Sequence, residues 1–355
     1  MVVAAVSSPW SHVVGHAAAI AMLRNAASRG RLGHTLLFAG PHGVGKRVVA
    51  KALAQSLFCS RHDETELEAC GECPGCKQVL AGTHPDLVTV ARPEGKSTIP
   101  IALLLGEDEL RGKSGLCYEL SLRPLAGSRK VAIIDEAEYL GDEAANALLK
   151  TLEEPPPGAV LILIADAPES LLATIRSRCQ VLRFGPLSQG ELAPLIVSQG
   201  LASDPATAES IARLADGTLA QARALVEPEL RDRRDLIFRE LAASPFNSVE
   251  LAKSLWTAIE AAASDTSEQR AHAHWVIRFT TDFYRQALHA LTGCPDPDPR
   301  PRAFAERLPR SPDAIDRVAQ LLDRCLAAES EIDGNVTVAL WIEVFFQSLA
   351  TIQRV

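Results

Sequence analysis

Gly40-Pro-His-Gly-Val-Gly-Lys46, preceded by the apolar run Leu36-Leu37-Phe38, is the stretch that decides the fold. The apolar run is typical of a strand, and a helical pattern follows the loop from Lys46 to Phe58. In this context a glycine-rich loop is a P-loop, because backbone N–H groups and a helix N-terminus can cradle phosphates while a lysine neutralises them. The residues predicted to bind nucleotide phosphates are Gly40, Gly43, Gly45 and Lys46.

Short apolar runs alternate with helical patterns through the first half of the chain. Most of these runs are continuously apolar, as expected for parallel strands buried on both faces. The alternation predicts an α/β domain with a doubly wound, mostly parallel sheet. The predicted strands are Leu36–Phe38, Leu87–Val90, Val131–Ile134, Val160–Ile164 and Val181–Phe184.

The strands stop after Phe184, and the rest of the chain has helical patterns. Gly185-Pro-Leu-Ser188 is interpreted as a linker, with Ser188 as the N-cap of the next helix. The pattern predicts an α/β domain at 1–186, a small helical lid domain at 187–229 and a C-terminal helical domain at 230–355. The Pro-rich stretch Cys294–Pro301 is expected to be a non-helical connection within the last domain.

The phosphate loop departs from a hydrolytic pattern at one position. Arg47 stands where a P-loop has the Ser or Thr that binds Mg²⁺, and an arginine cannot bind a cation. Downstream, Asp135-Glu136 ends an apolar run, as in a Walker B strand. Asp135 would hold Mg²⁺ through water, and Glu136 would orient the attacking water. The sequence leaves ATP and Mg²⁺ binding open and does not favour hydrolysis.

Four cysteines are clustered directly after the helix that begins at the P-loop. The spacing of Cys59, Cys70, Cys73 and Cys76 predicts a closed, structural Zn²⁺ site. Two alternatives are an iron–sulfur cluster and unligated thiols, and His62 is a spare candidate ligand. The remaining cysteines are interpreted as small buried residues: Cys117, Cys179, Cys294 and Cys325.

Composition and charge exclude several classes of protein. The 355-residue chain is 47% hydrophobic and carries a formal net charge of -8, so it does not have the basic surface of a protein that coats nucleic acid. Any DNA contact should be local or shared with partners. The N-terminus has no signal-peptide pattern, and no uncharged apolar run is long enough to span a bilayer. We expect a cytoplasmic protein without membrane contact.

Two further stretches, Asn146–Pro156 and Leu171–Cys179, closely resemble the AAA+ clamp-loader family of bacterial DNA polymerase III. The resemblance covers about the first 190 residues, including Val13–His16, the P-loop, the cysteine module and Ala81–Asp86. It implies a hetero-pentameric ring with gamma/tau and delta subunits that loads a sliding clamp onto primer-template DNA. It also implies that Arg178 is an arginine finger for the ATP of an adjacent subunit, with Arg176 a lesser candidate.

This family includes the hydrolysing gamma/tau motor and a delta-prime branch, and this chain departs from the motor at three positions. They are Arg47, the absence of the motor's sensor 1 Thr from Ile164–Pro168, and Ala220 where the motor carries its sensor 2 Arg. Together they resemble a stator-like delta-prime subunit, whose own ATPase activity would be absent or weak. The polymerase activity would belong to the holoenzyme.

Two alternatives remain. One is an ATP-hydrolysing gamma/tau-type motor. The other is a zinc-dependent DNA-binding module built on the cysteines, although its basic neighbours, Arg61 and Lys77, are outnumbered by acidic residues.

Overall fold

The structure, a computed structural model, describes residues 8–294, 298–308, 312–332, 334 and 336–354. The chain divides into two compact units, which meet in sequence between Val226 and Glu227. The first unit contains the sheet and the second consists of helices. The division into three domains at 1–186, 187–229 and 230–355 stays a prediction.

Within the described residues, one sheet contains the parallel strands Thr35–Ala39 (β1), Leu87–Val90 (β2), Lys130–Ile134 (β3), Ala159–Ala165 (β4) and Gln180–Arg183 (β5). Their order in the sheet is β2-β3-β4-β1-β5. Every residue of β1, β3 and β4 is buried, which explains why these strands are apolar apart from the first residues of β1 and β3, Thr35 and Lys130. The predicted strands and the doubly wound α/β fold are confirmed.

The two faces of the sheet carry separate apolar cores. Alternate residues of one strand enter different cores: Leu36 and Phe38 belong to one, and Leu37 and Ala39 to the other. Helices cover both faces. The helices before residues 187–226, called the lid segment below, are Ala17–Ser28 (α1), Lys46–Leu57 (α2), Pro74–Ala81 (α3), Ala102–Leu105 (α4), Leu116–Ser121 (α5), Asp142–Glu153 (α6) and Ala173–Arg176 (α7).

Three short helices complete the first unit. The Ser188 side chain accepts from the backbone N–H of Glu191, and the Glu191 carboxylate accepts from the backbone N–H of Ser188. This reciprocal capping box confirms Ser188 as the N-cap. The helices are Gln189–Ser198 (α8), Pro205–Leu214 (α9) and Leu219–Ala224 (α10).

The second unit is a bundle in which the long helix Thr266–Leu291 (α13) packs against most of the others. Part of the Pro-rich stretch was wrongly predicted to be non-helical, because the helix Pro299–Arg307 (α14) includes Pro301. A proline fits the first helical turn, where its missing N–H has no intrahelical partner. Residues 295–297 lie outside the described residues. The other helices are Pro228–Leu241 (α11), Ser248–Ala262 (α12), Pro299–Arg307 (α14), Pro312–Ile332 (α15) and Val338–Arg354 (α16).

Candidate functional sites

The P-loop needs glycine at two positions for steric reasons. Gly40 has φ +155°, and a Cβ there would lie 2.0 Å from the carbonyl oxygen of Phe184. Gly43 has φ +76°, and a Cβ there would lie 2.4 Å from the Cβ of Ala220. Both distances are far below van der Waals contact. The glycines therefore allow β5 and the lid segment to approach the loop closely.

The lid segment is bonded directly to the loop. The backbone N–H of Leu219 donates to the carbonyl of Gly43 at 3.0 Å, and Ala220 packs against the same glycine. On the other side, the His16 ring nitrogen Nε2 lies 2.8 Å from the carbonyl oxygen of Val44. Ala220 therefore lies beside the loop, but a methyl side chain offers a phosphate no positive charge.

Lys46 is buried within the loop, with only 4% of its side chain exposed. Its ammonium donates to the carbonyls of Gly40 at 2.6 Å and Pro41 at 2.8 Å. Its third acceptor is the carboxylate of Asp166, at 2.6 Å. Because an ammonium has three donors, these acceptors satisfy all of them. The lysine is therefore held by the protein itself.

Asp166 follows β4 and bridges two basic side chains. Its Oδ1 contacts Lys46, and its Oδ2 lies 3.0 Å from Nδ1 of His42. Burial raises the pKa of Asp166, but the bonds from His42 and Lys46 outweigh burial, and the pKa is lowered overall. The hydrogen bond to Asp166 raises the pKa of His42. Burial also raises the pKa of Glu138, whose Oε1 accepts from the backbone N–H of Asp166 at 3.1 Å.

The two acidic residues at the end of β3 are also paired. Asp135, 9% of whose side chain is exposed, forms an ion pair with Arg47. Glu136 lies 3.1 Å from a guanidinium nitrogen of Arg92, and Arg92 stacks over the Tyr139 ring at 4.0 Å. The structure therefore brings Lys46, Arg47, Asp135 and Glu136 together, and each has a partner of opposite charge.

Asp166, His42 and Arg92 were not predicted as site residues. Asp166 follows the carboxyl end of β4, and Gly40 follows the carboxyl end of β1, its parallel neighbour. Side chains at the carboxyl ends of adjacent parallel strands lie close together. An acidic residue directly after β4 was therefore a signal in the sequence for a contact with the P-loop.

The four predicted cysteines come together as one cluster. Their Sγ atoms all lie within 4.8 Å of one another, and those of Cys70 and Cys76 are 4.0 Å apart. Four thiolates around one Zn²⁺ would be about 3.8 Å apart, given Zn–S bonds of about 2.3 Å. Burial opposes ionisation of Cys73, but backbone N–H donors from Cys76 and Ser60 outweigh it and lower its pKa to about 6. These residues can hold a tetrahedral metal ion.

Local structure explains the spacing of the cluster. Cys73 is the N-cap of α3 and accepts from the backbone N–H of Cys76. A Cβ on Gly75 would lie 2.2 Å from the carbonyl oxygen of Phe58, so this turn requires glycine. His62 lies outside the sulfur group, with Nδ1 2.9 Å from Glu66 Oε2. Of the cysteines interpreted as buried, Cys325 is buried, Cys117 and Cys179 are half-buried, and Cys294 is exposed, so the interpretation of Cys294 was wrong. Cys294 follows α13, and its backbone N–H donates to the carbonyl of His289 at 2.8 Å.

The segment Ala81–Asp86 connects the cysteine module to the sheet. The His84 ring stacks on Phe58 at a centroid distance of 3.9 Å. The fully buried Asp86 carboxylate accepts from the backbone N–H groups of Leu125 and Ala126, and lies 3.5 Å from Nζ of the buried Lys130. These contacts give the motif a structural role.

Arg178 lies at the amino ends of the strands, opposite to the end of the sheet that carries the P-loop. It precedes β5, which begins at Gln180, and Gln180 is paired in register with Leu36 near the start of β1. The P-loop follows the end of the same strand. The five residues of β1 span about 13 Å at a rise of about 3.3 Å per residue. The strand length therefore separates Arg178 from the P-loop of its own chain.

The parallel sheet, the glycine loop that opens α2 and the acidic end of β3 define a P-loop domain of the AAA+ class. A family model described as "DNA polymerase III, delta subunit" matches residues 15–188. The chain is 35% identical over 236 residues to the DNA polymerase III delta-prime subunit of Pseudomonas aeruginosa, covering 63% of this chain and 68% of that protein. It is 32% identical over 253 residues to the Escherichia coli delta-prime subunit, covering 71% and 70% of the two chains.

The chain belongs to the family of DNA polymerase III delta-prime subunits, which are clamp-loader subunits. It is also similar to the DNA polymerase III tau subunit of Bacillus subtilis, with 32% identity over 256 residues, covering 69% of this chain and 43% of that protein. Within the part of the chain that the structure describes, no helix combines the length and apolar character needed to cross a membrane.

Proposed function

We propose that this chain is the stator-like subunit of a hetero-pentameric clamp loader. Gamma/tau and delta subunits would complete the ring, which places a sliding clamp on primer-template DNA during replication. The AAA+ domain would present Arg178 to the ATP of a neighbouring motor. The helices from about residue 230 would pack with those of the other subunits as a collar.

The position of Arg178 is the observation that carries this proposal. The arginine lies at the amino edge of the sheet, whereas the loop of its own chain lies at the carboxyl edge. It is exposed enough to be presented, with 36% of its side chain accessible. An arginine supplied from outside can stabilise the charge on a transferring phosphoryl group. This geometry supports action in trans.

The ion pairs at the chain's own P-loop support a subunit that does not hydrolyse ATP. Lys46 is held by Asp166, and Arg47 is paired with Asp135, the acidic residue expected to hold Mg²⁺. Hydrolysis needs both a free lysine and a metal site. The gamma/tau-type motor is therefore the weaker alternative.

The cysteine cluster supports a structural Zn²⁺ site. Four sulfur ligands close the coordination sphere and leave no position for substrate or water. The zinc-dependent DNA-binding alternative is weakened because Arg61 is paired with Glu72 at 2.7 Å, which neutralises one of the few basic residues near the cluster. We therefore propose that zinc at this site stabilises the folded chain.

Reconstituted loaders containing the wild-type chain, Arg178→Ala or the control Arg176→Ala test the proposal. Turnover should be restricted to the motor that receives the finger, by inactivating the other motors' P-loops, and measured with clamp and primed DNA. Arg178→Ala should lower the rate at that site by about 10³-fold, the usual order for an arginine finger. Arg176→Ala should leave it within about twofold.

An unchanged rate with Arg178→Ala in an assembled loader would refute the trans-acting role. An equal loss with Arg176→Ala in an assembled loader would contradict the assignment of the finger to Arg178 alone, because Arg176 is the lesser candidate. Size-exclusion chromatography of each loader separates loss of catalysis from loss of the ring.

A further inference from the structure

Two internal ion pairs lie in the P-loop region. In each pair, one side chain has the charge of a part of a magnesium nucleotide complex: Asp166 has that of phosphate, and Arg47 has that of Mg²⁺. In the first, the Lys46 ammonium contacts the Asp166 carboxylate at 2.6 Å. In the second, Arg47 is paired with Asp135. A nucleotide would offer anionic phosphate to the lysine and Mg²⁺ to the acidic residue. The chain itself supplies an anion, Asp166, to the lysine and a cation, Arg47, to the acidic residue.

The first pair competes with phosphate. All three donors of Lys46 are used, by two loop carbonyls and by Asp166, so a phosphate has to displace one acceptor. The loop carbonyls belong to the turn itself, and this leaves Asp166 as the group to be displaced. Asp166 is further held by His42 at 3.0 Å. Glu138 accepts from the backbone N–H of Asp166 at 3.1 Å, which further fixes the aspartate after β4.

The second pair competes with the metal ion. Arg47 neutralises Asp135, whose side chain is 9% exposed. A divalent ion at that carboxylate would face the guanidinium charge within a few ångströms, and like charges at this range repel strongly outside bulk water. Arg47 itself, with 62% of its side chain exposed, extends from the first turn of α2 into solvent. It could contact a bound polyphosphate without a metal.

We propose that the P-loop of this chain is a latent polyphosphate site, closed by Asp166 in place of phosphate and by Arg47 in place of Mg²⁺. The lid segment is hydrogen-bonded to this loop, since the backbone N–H of Leu219 donates to the carbonyl of Gly43. Neutralising Asp166 releases Lys46 and opens the loop to a nucleoside triphosphate. Because Arg47 remains, this binding does not require magnesium. The inference concerns the chain's own loop and does not depend on Arg178.

The test is a titration of the full-length chain with a fluorescent ATP analogue, in EDTA and in MgCl₂. The variants are Asp166→Asn, the double variant Asp166→Asn with Arg47→Thr, and the control Glu169→Gln, which removes an exposed carboxylate three residues away. Asp166→Asn should bind at least about tenfold more tightly than the wild type, in EDTA as in MgCl₂. The double variant should bind more tightly in MgCl₂ than in EDTA, and the control should match the wild type.

Two results would overturn the inference. One is a folded Asp166→Asn variant that binds no more tightly than the wild type, since the carboxylate would then not restrict binding. The other is an Asp166→Asn variant that gains affinity in MgCl₂ but not in EDTA, since Arg47 would then not take the place of the metal ion. Asp166→Thr, which introduces the residue type of a motor subunit at this strand end, provides a second folded variant if the asparagine form is unstable. A gain with Glu169→Gln would mean that overall charge, and not Asp166, governs binding.

Discussion

The Arg178 guanidinium donates to the Glu153 carboxylate at 2.7 Å. Glu153 is the last residue of α6, and Arg178 follows α7, so the bond joins the ends of two helices. A second guanidinium nitrogen donates to the carbonyl of Thr174 at 3.0 Å. The pair is exposed, with 36% and 52% of the two side chains accessible. Exposed pairs contribute only about 0.2–1 kcal/mol, so a neighbouring phosphate can compete for the arginine.

The first prediction concerns this tether. If Glu153 holds the finger until the ring closes, Glu153→Gln should raise the DNA-independent ATPase rate of the reconstituted loader. The expected rise is roughly two- to fivefold, the equivalent of losing about 0.4–1 kcal/mol of competition. Glu154→Gln, the adjacent exposed carboxylate, is the control. A rate that stays the same or falls would contradict a restraining role for Glu153.

The second prediction concerns the cysteine cluster. Cys73→Ser should abolish the bound zinc, measured by elemental analysis, and lower the Tm by at least about 5 °C, because a structural metal contributes directly to folding. Cys294→Ser removes an exposed thiol outside the cluster and should change neither quantity. Iron in the purified protein would favour the iron–sulfur alternative, and a wild-type chain without metal would favour unligated thiols.

The strands and the cysteine site could be predicted because their signals are local. The central strands contain apolar runs, as buried parallel strands do. The edge strand from Leu87 to Val90 is less buried, and it was predicted with the bounds that it has. The helix after the P-loop was predicted to end at Phe58 and ends at Leu57. The cysteines lie within eighteen residues of one another, so their spacing alone indicated that they could meet.

Long-range contacts could not be predicted in the same way. Lys46 and Asp166 are separated by 120 residues, and only the adjacency of β1 and β4 brings them together. The sequence indicated the missing threonine after β4, but not that an aspartate there would bind the loop lysine. Likewise, the position of Arg178 at the opposite edge of the sheet depends on the register between Leu36 and Gln180. Such pairings require the tertiary fold.

The third prediction concerns the buried pair that connects Ala81–Asp86 to the sheet. Asp86 is fully buried, and Lys130, 3% of whose side chain is exposed, lies 3.5 Å from it. Asp86→Asn leaves the lysine charge buried beside a neutral group, so the free energy of unfolding should fall by about 3–5 kcal/mol in urea denaturation. Glu119→Gln removes a more distant and exposed carboxylate, 4.0 Å from the same lysine, and should cost less than about 1 kcal/mol. Equal effects of the two variants would contradict the role given to Asp86.

The fourth prediction is a pH dependence at the P-loop. The hydrogen bond to Asp166 raises the pKa of His42 above 6.5, and Lys46 and Glu136 act on it with opposite signs. A raised folded-state pKa contributes stability that is fully present below the unfolded value and is lost as pH rises through the folded value. The pKa of Asp166 is lowered below 3.8, so its contribution is lost only in acid. His42→Gln should therefore destabilise the chain at about pH 6 and have little effect at about pH 9.

A double-mutant cycle determines whether this dependence belongs to the pair. Thermal unfolding at both pH values would compare the wild type, His42→Gln, Asp166→Asn and the double variant. In the Asp166→Asn background, His42→Gln should lose its pH-dependent effect, because the carboxylate that favours the imidazolium is gone. A pH-dependent effect that persists there would assign the raised pKa of His42 to another group. An effect of equal size at both pH values would mean that the ring acts through packing, although three-quarters of its side chain (74%) is exposed.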